Sequence, residues 1–365
     1  MQLSRRSLLI GAGAGASGIL SIPLLPGRAM AEAAPAFVAA CQRAGGDFAA
    51  AVLDASGRIL FTEELDGRGH DATVAPDGST AVFFARRPGR FALVLDILNR
   101  RKATSFAPPE NRRFAGHGFY SSDGKLLIAT ENDFDGERGI LGIYDATDGY
   151  RRIGEFASRG IGPHEAMLLS DGRTIAVANG GILTHPDFPR HKLNLATMAP
   201  SLALVDIETG DLIEEATLPQ NQHRLSIRHL AQSDAHTIWF GCQYEGPKTD
   251  QIPVVGRYRR GEGIALVAAP DLVYARMNHY VGSIAASRDG DIVAATSPRG
   301  GQIMVWDAKS LSFLRAADVA DVAGATADHD AFAFSAGTGD ILTAEAEPAH
   351  ANVHWDNHLR RIRPA

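Results

Sequence analysis

Short stretches of alternating apolar and polar residues, separated by turns rich in glycine and aspartate, follow one another along most of the chain. Six segments share one order: a first residue that is a histidine in five of them, a few alternating residues, a Gly/Asp turn and a β-rich run. They are residues 70–78 followed by 80–85, 117–124 by 126–130, 164–172 by 174–178, 229–235 by 237–241, 282–290 by 292–296, and 329–339 by 341–344. Their first residues are 47, 47, 65, 53 and 47 positions apart. A period near 47 residues made of short strands is typical of a β-propeller, in which each repeat is one four-stranded blade.

A second pair of strands follows the inner pair and supplies the outer half of a predicted blade. These pairs are residues 91–97 and 102–106, 141–146 and 150–156, 202–207 and 212–218, and 303–308 and 312–316. The first strand of each pair ends near an aspartate: Asp96, Asp145, Asp206 and Asp307. An aspartate at such a place accepts hydrogen bonds from the backbone of its own turn, so the pattern predicts tight connections between the outer strands.

The two ends of the chain predict how the ring closes. Residues 48–54 and 58–65 form an outer pair with no inner pair before it, whereas the last inner pair, residues 329–344, has no outer pair after it. We therefore expect the N-terminal strands to complete the last blade, which leaves no free edge. The count predicts an all-β propeller of six four-stranded blades, with room for a seventh in residues 348–363. Stacked β-sandwiches are the alternative, but they do not repeat their sequence at constant spacing.

Residues 1–31 have the pattern of an export signal. Arg5 and Arg6 precede a Gly/Ala-rich apolar run over residues 10–25, and Ala29-Met30-Ala31 matches an A-x-A cleavage site. This order is typical of a twin-arginine signal that the Tat translocase recognises, with cleavage after Ala31; a general secretory signal is the alternative. Because the run is too short and too rich in glycine for a stable membrane span, we expect a soluble periplasmic protein.

Composition and motifs exclude several classes of function. The 45% apolar and 21% charged residues are typical of a globular protein, and the formal charge of −6, without a basic stripe, argues against nucleic-acid binding. The 2 cysteines, Cys41 and Cys242, are too few for a disulfide framework, although they could pair with each other in an oxidising compartment. The chain has no phosphate-binding loop, nucleophile elbow, H-E-x-x-H or C-x-x-C-H motif. No nucleophile or redox centre is therefore identified.

Propeller topology predicts which polar residues meet. The start of the innermost strand and the end of the second strand lie at one mouth of the central channel, so the histidines that open the repeats are expected to converge there: His70, His117, His164, His229 and His329. The second-strand ends would add Glu131, Asn132, Asn179, Gln243, Arg299 and Glu345.

The longest spacing between repeats results from an insertion at residues 179–200, which we expect to form a lid over the same mouth, with His185 and Arg190. The C-terminal tail could bring His358 to it. The expected organisation is a signal peptide (residues 1–31), an N-terminal segment (32–46) and a propeller domain (47–365) carrying this lid.

The converging imidazoles predict a metal site. Neutral imidazoles with carboxylates nearby suit a transition metal such as Fe, Cu or Zn. Five buried imidazoles without partners would cost about 5–15 kcal/mol, so something must satisfy them. The alternative is a structural ring of histidines that bond water or the backbone of neighbouring blades.

Several short motifs resemble a known bacterial family. They are Asn179-Gly180-Gly181-Ile182, Thr184-His185-Pro186, Lys192-Leu193-Asn194, Met198, Pro200-Ser201-Leu202, Ser226-Ile227-Arg228-His229-Leu230 and Trp355-Asp356-Asn357-His358-Leu359. The chain resembles the uncharacterised Tat-exported family catalogued as domain of unknown function 1513. The resemblance implies a periplasmic propeller encoded near imelysin-like iron-regulated proteins and a di-haem oxidoreductase-like protein. It supplies no catalytic residues.

Three functions remain open from the sequence. The first is a binding protein that holds a metal ion or metal complex at the channel mouth and serves iron or other metal acquisition, with imelysin-like proteins as partners. The second is a protein-interaction scaffold in which the histidines are structural. The third is an oxidoreductase or hydrolase that uses the same face, with His185 and Arg190 engaging the substrate.

Overall fold

The fold is a closed β-propeller of seven blades. A computed structural model describes residues 33–87, 89–188, 191–344 and 347–362; the predicted signal peptide, residues 1–31, lies outside them. Within these residues, the strands form seven four-stranded antiparallel sheets. The predicted all-β propeller with four-stranded blades is confirmed, and the predicted count of six blades is wrong.

The strands in chain order are β1 (Pro35–Arg43), β2 (Phe48–Asp54), β3 (Ile59–Leu65), β4 (Gly69–Val74), β5 (Thr80–Ala85), β6 (Ala92–Asp96), β7 (Arg101–Phe106), β8 (Arg112–Tyr120), β9 (Leu126–Asp133), β10 (Arg138–Asp145), β11 (Arg151–Ala157), β12 (Pro163–Leu168), β13 (Thr174–Asn179), β14 (Ser201–Asp206), β15 (Leu212–Thr217), β16 (Leu225–Asp234), β17 (Thr237–Tyr244), β18 (Val255–Arg259), β19 (Gly263–Leu266), β20 (Ser283–Ala286), β21 (Ile292–Ser297), β22 (Gln302–Asp307), β23 (Phe313–Asp318), β24 (Val322–Asp328), β25 (Ala331–Ala336), β26 (Asp340–Leu342), β27 (Ala349–His350) and β28 (Val353–Arg361). Blade 1 has the order β28-β1-β2-β3 from the channel outward, and blades 2 to 7 follow as β4–β7, β8–β11, β12–β15, β16–β19, β20–β23 and β24–β27. Each innermost strand contacts the innermost strands of the blades on either side, so the ring is closed.

Within the residues that the structure describes, helical structure is confined to short connections. The structure has an α-helix at Asp271–Arg276 and 3₁₀ turns at Leu195–Thr197 and Gln220–Gln222. Across the described ranges, no helix has the length and apolar character needed to cross a bilayer.

The ring closes by strand exchange between the two ends of the chain. Strand β28 pairs antiparallel with β1, from Phe37 opposite Arg361 to Arg43 opposite Val353. The expected closure is therefore present, but its partners differ from the prediction. The N-terminal strands complete a blade with β28, at the place left open for a seventh blade, whereas residues 329–344 belong to blade 7. The difference arises because β1 lies within residues 32–46, which were predicted to precede the propeller. This apolar strand adds a third N-terminal strand to the blade.

Apolar clusters between neighbouring blades form the core. Phe84 of blade 2 contacts Phe114 of blade 3 edge to face, with ring centroids 5.4 Å apart. Trp239 of blade 5 and Trp306 of blade 6 are fully buried against each other at 6.3 Å. Middle strands such as β5 are buried on both faces, and they therefore have nearly continuous apolar sequences. This packing holds the innermost strands in fixed positions around the channel.

The aspartates predicted to stabilise the outer turns do so. The amide of Thr147 donates to Asp145 Oδ1 at 2.9 Å, and that of Ser310 donates to Asp307 Oδ1 at 2.7 Å. Asp96 and Asp206 accept equivalent backbone bonds. The 2 cysteines are both free and buried, Cys41 in blade 1 and Cys242 in blade 5, so they do not pair.

The closure predicts a large stability difference between two leucines. Leu359 on β28 is fully buried between blades 1 and 7, where it packs with Phe37 and Ile341. We expect Leu359→Ala to lower the free energy of unfolding by about 2–5 kcal/mol, because it leaves a cavity at the closing seam. Leu98 is 68% exposed, so Leu98→Ala should change it by less than about 0.5 kcal/mol. Urea unfolding monitored by tryptophan fluorescence measures the free energy of unfolding of both variants. Similar decreases in the two would show that Leu359 does not stabilise the closing seam.

Candidate metal centre

Five consecutive blades each place one histidine on the innermost strand. His358 lies on β28, His70 on β4, His117 on β8, His164 on β12 and His229 on β16. Each lies at or beside a register shift in the pairing of its strand with the second strand of the blade. Because a β-bulge changes the direction of a side chain, these shifts help to turn the imidazoles toward the channel.

Blades 6 and 7 have small residues at the corresponding place. Thr130 Oγ1 of blade 3 donates to the carbonyls of His117 and His164, on its own and the next innermost strand. Thr296 of blade 6 makes the same pair of bonds to Ser283 and Ala323. Ser283 and Ala323 are therefore the counterparts of the histidines, and they leave the space that the imidazoles of the other blades fill.

The five imidazoles form a closed circuit across the channel, which we call the histidine cluster. Around it, from His358 through His70, His117, His164 and His229 back to His358, the ring centroids are 4.9, 4.9, 4.8, 4.8 and 4.9 Å apart. The cluster lies between two cavities. One, of about 490 Å³, contains His70 and His164 in its wall and is the mouth predicted from topology; the other, of about 630 Å³, opens on the opposite face.

Carboxylates from the preceding blade bond two of the imidazoles and lie close to a third. His117 Nδ1 bonds Asp71 Oδ2 of blade 2 at 2.8 Å, and His229 Nδ1 bonds Glu165 Oε2 of blade 4 at 3.3 Å. His70 Nδ1 lies 3.5 Å from Asp356 Oδ1 of blade 1. In His117 and His229, an Nδ1–H that bonds the carboxylate leaves the Nε2 lone pair free, which is the tautomer that a metal-ligating histidine uses.

Arginines keep these carboxylates ionised. Arg360 donates from Nε to Asp71 Oδ1 and from Nη2 to Glu165 Oε1, both at 2.8 Å. Although burial raises the pKa of each carboxyl, Arg360 holds the pKa of Asp71 well below its usual value and lowers that of Glu165 to about 2. Asp356 is paired with Arg68 and Arg86, and its pKa is also lowered despite its burial.

Four of the imidazoles, those of His70, His164, His229 and His358, are neutral at neutral pH. Burial lowers the pKa of His70 to about 3, and the nearby charges of His117 and Arg86 lower it further against the opposing effect of Asp356. Burial is also the largest cause of the lowered pKa of His164, His229 and His358. Neutral imidazoles have free lone pairs, so these four rings are in the protonation state that binds metal ions.

Five nitrogen atoms of the cluster are buried without a hydrogen-bond partner. They are Nε2 of His117, His229 and His358, and Nδ1 of His70 and His164. Two triads, His70/His117/His358 and His117/His164/His229, have ligand atoms within 4.8 Å of one another. His117 belongs to both triads. An ion bound at about 2.0–2.1 Å from each nitrogen would fit either triad after a small inward movement of the rings.

The structure thus brings together four of the five histidines predicted as ligands, and His358 is the fifth member of the cluster. His329 is not a member. It lies in the turn after β24, with a positive φ of 50°, and lines the cavity on the opposite face. The prediction that it opens a repeat was wrong because the innermost strand of blade 7 is Val322–Asp328, one strand earlier than the sequence pattern indicated.

The other predicted residues are divided between the mouth and the blades. Asn132, Gln243 and Arg299 line the mouth cavity. Glu131 is buried inside blade 3, where it accepts hydrogen bonds from Tyr144 and Arg152. Asn179 is buried in blade 4 and bonds Ser158. Neither of these two residues lines the mouth.

The insertion at residues 179–200 contributes to the wall of the mouth through Thr184, His191 and Lys192. Asn194 fixes its base by accepting a bond from the amide of Leu183 and donating to the carbonyl of Gly181. His185 follows Thr184 in the chain, and its ring packs edge to face against Phe134, with ring centroids 5.9 Å apart. Arg190 and Glu345, also predicted at the mouth, lie outside the described residues.

The comparisons with known proteins identify the family. The family described as "Protein of unknown function (DUF1513)" matches residues 51–362. The chain belongs to this family. The resemblance expected from the sequence motifs is therefore confirmed. No curated protein matches the chain. Hydrazine synthase of Kuenenia stuttgartiensis is similar in structure, with a TM-score of 0.63 and 13% identity over 83% of this chain and 89% of that chain; this likeness shows the fold alone.

Sequence reasoning missed the residues that support the imidazoles. Asp71 and Glu165 directly follow His70 and His164, so a histidine–acid pair recurs at one register of two blades and could have indicated them. Arg360 and Asp356 belong to a strand that has no neighbouring repeat in sequence. Their role is visible only once β28 is placed beside blades 2 and 4.

The double ion pair of Arg360 predicts a stability effect. Arg360→Met leaves Asp71 and Glu165 buried without a counter-ion, and we expect the free energy of unfolding to fall by about 3 kcal/mol. Arg288→Met removes an exposed arginine from the opposite face and should have little effect. Chemical denaturation at pH 7 compares the two variants; equal stabilities would show that Arg360 does not compensate the carboxylates.

The lowered histidine pKa values predict a pH dependence. Between pH 6.5 and about 3, the unfolded chain binds a proton at His70 that the folded protein does not bind, so acidification favours unfolding. For metal-free protein, we expect His70→Gln to reduce the slope of unfolding free energy against pH by about 1.4 kcal/mol per pH unit around pH 5. His350→Gln, at an exposed site, should leave the slope unchanged. Parallel slopes for His70→Gln and the unsubstituted protein would contradict the neutral state of His70.

Proposed function

We propose that this protein is a periplasmic metal-binding protein that holds a transition-metal ion, or a complex of one, on the histidine cluster. The observation that carries the proposal is the set of five buried imidazoles whose rings form one closed circuit and which each have a buried nitrogen without a hydrogen-bond partner. Each unpaired buried nitrogen costs about 1–3 kcal/mol, which coordination to a metal would offset.

Histidines with a structural role look different in this molecule. His354 Nδ1 bonds the carbonyl of Gly337 at 2.8 Å, and His279 Nε2 bonds that of Asp250 at 2.8 Å. Each of these rings connects two segments of the chain through a hydrogen bond to a backbone carbonyl. The cluster imidazoles instead direct nitrogens toward one another, which favours a bound ligand over a purely structural ring.

The donor set favours iron, copper or zinc. Imidazole nitrogen binds these metals well, whereas magnesium and calcium prefer oxygen. Asp71 and His117 lie within reach of Glu165 in a third group of candidate ligands, but Arg360 occupies both carboxylates. Their contribution is therefore to orient His117 and His229 and to balance the charge of a bound cation.

The location and the biological setting are part of the proposal. The twin-arginine signal predicted from the sequence of residues 1–31 supports export to the periplasm, where the protein would serve iron or other metal acquisition. The family resemblance supports imelysin-like proteins as partners. Fractionation of cells that express the full chain tests the location: protein in the periplasmic fraction that begins at Glu32 supports it, and uncleaved cytoplasmic protein would contradict it.

Metal analysis of exported protein purified without a histidine tag tests the binding itself. We expect about one equivalent of iron, copper or zinc per chain, because the two triads share His117 and one ion occupies it at a time. The variant His117→Ala/His164→Ala disrupts both triads and should lose most of this metal.

The matched control is His236→Ala/His350→Ala, which removes two exposed imidazoles outside the cluster. It should retain the metal content of the unsubstituted protein. Circular dichroism confirms that each variant is folded. Equal metal content in both double variants, or none in the unsubstituted protein after reloading with each metal, would remove the proposal.

A further inference from the structure

The mouth above the histidine cluster is strongly cationic. Among the described residues that line its cavity of about 490 Å³, the arginines and lysine are Arg86, Arg87, Arg228, Arg299 and Lys192. Asp321 is the carboxylate among the same lining residues, and His191 is an additional imidazole. A cavity of this size accommodates a small organic ligand rather than a bare ion. The wall therefore favours a ligand that carries negative charge.

Some of these cations are already paired with protein groups. Arg86 Nη1 lies 3.1 Å from Asp356 Oδ1 and also donates to Asn357. Lys192 is paired with Glu245 across the base of the insertion. The guanidinium of Arg299 lies over the ring of Tyr280, 4.5 Å from its centroid. These three side chains are held in place but contribute to the positive field of the cavity.

Arg87 and Arg228 are different. In the part of the chain that the structure describes, neither side chain makes a hydrogen bond or an ion pair, and Arg228 Nε is buried without a partner. Burial lowers the pKa of Arg228, and the charges of Arg87 and Arg86 lower it further against the opposing effects of Tyr280 and Glu245. Arg87 is exposed to solvent and lines the same cavity. The guanidinium ion of Arg228 is costly in this place, because a charge that leaves water must be compensated by an ion pair or hydrogen bonds.

Further unused polar groups lie on the same wall. Ser226 Oγ is buried without a hydrogen-bond partner and lines the cavity two residues before Arg228. Gln243, which pairs with Ser226 across strands β16 and β17, lines the same cavity. A planar guanidinium with adjacent hydroxyl and amide groups matches the oxygens of a carboxylate or phosphate group.

We propose that the mouth binds a small oxyanion, of the carboxylate or phosphate type, through Arg87 and Arg228. The ligand that this protein carries is then an anionic metal complex, with the metal on the imidazoles and acidic oxygens of its chelator on the two arginines. The metal half of this inference rests on the proposed function. His70 and His164 belong to both the cluster and the cavity wall, so the two sites share a boundary.

Calorimetric titration of the mature protein with citrate and with inorganic phosphate tests the site, using metal-free and zinc-loaded protein. Binding of citrate alone indicates a polycarboxylate chelator, and binding of phosphate alone indicates a phosphate-bearing one. We expect Arg228→Gln and Arg87→Gln each to weaken binding at least tenfold, since each removes a charge-assisted contact. Higher salt should weaken binding to the unsubstituted protein.

Arg288→Gln is the matched control, because it removes one exposed arginine from the cavity on the opposite face. It should change the affinity less than twofold. The inference is overturned if neither anion binds the unsubstituted protein in either metal state, or if Arg288→Gln weakens binding as much as the other two variants. Two separate arginine variants, each checked by thermal unfolding, keep the result independent of a folding defect in one of them.

The design separates this inference from the proposed function. Anion binding by a protein that takes up no metal would support the oxyanion site and contradict the metal site. Metal binding without any anion binding would support the proposed function and overturn this inference.

Discussion

The arrangement of the channel depends on the ion pairs that Arg360 makes with Asp71 and Glu165. Its guanidinium bonds two buried carboxylates from different blades, and each carboxylate bonds an imidazole of the following blade. Blades 2, 3, 4 and 5 are thus connected through one side chain that blade 1 supplies. Charges in such a place are tolerated only when they compensate one another, so the positions of Asp71 and Glu165 are narrowly defined. The orientation of His117 and His229 follows from theirs.

Rotational repetition explains how few residues are needed. One register on the innermost strand supplies an imidazole in five blades, and the position beside it supplies a carboxylate in blades 2 and 4. Small residues in blades 6 and 7 break the repetition. The rings of His229 and His358 meet across that gap at 4.9 Å, so five imidazoles close a circuit in a channel of seven blades.

Much of the fold followed from local sequence signals, because turns and strand periodicity are local properties. The repeat spacing predicted four-stranded blades, and the aspartates of the outer turns are where their chemistry requires them. His70, His117, His164 and His229 were found because each precedes a regular turn. The blade count failed where a strand has no such marker: β1 is an apolar run, and β28 lies far in sequence from β1, the strand with which it pairs. His329 was predicted to open a repeat because a Gly/Asp turn follows it in sequence. Its position on the opposite face depends on the pairing of β24 and β25, which the local pattern did not indicate.

The exchange of strands at the closing seam has a consequence for biogenesis. Strand β28 carries His358, Arg360 and Asp356, and it is synthesised after every other strand described here. While this strand is still inside the ribosome, the blades already made lack His358. Asp71 and Glu165 then also lack Arg360, the cation with which they pair. The five-membered circuit of imidazoles, and the charge balance of the carboxylates beside it, are therefore complete only in the finished polypeptide.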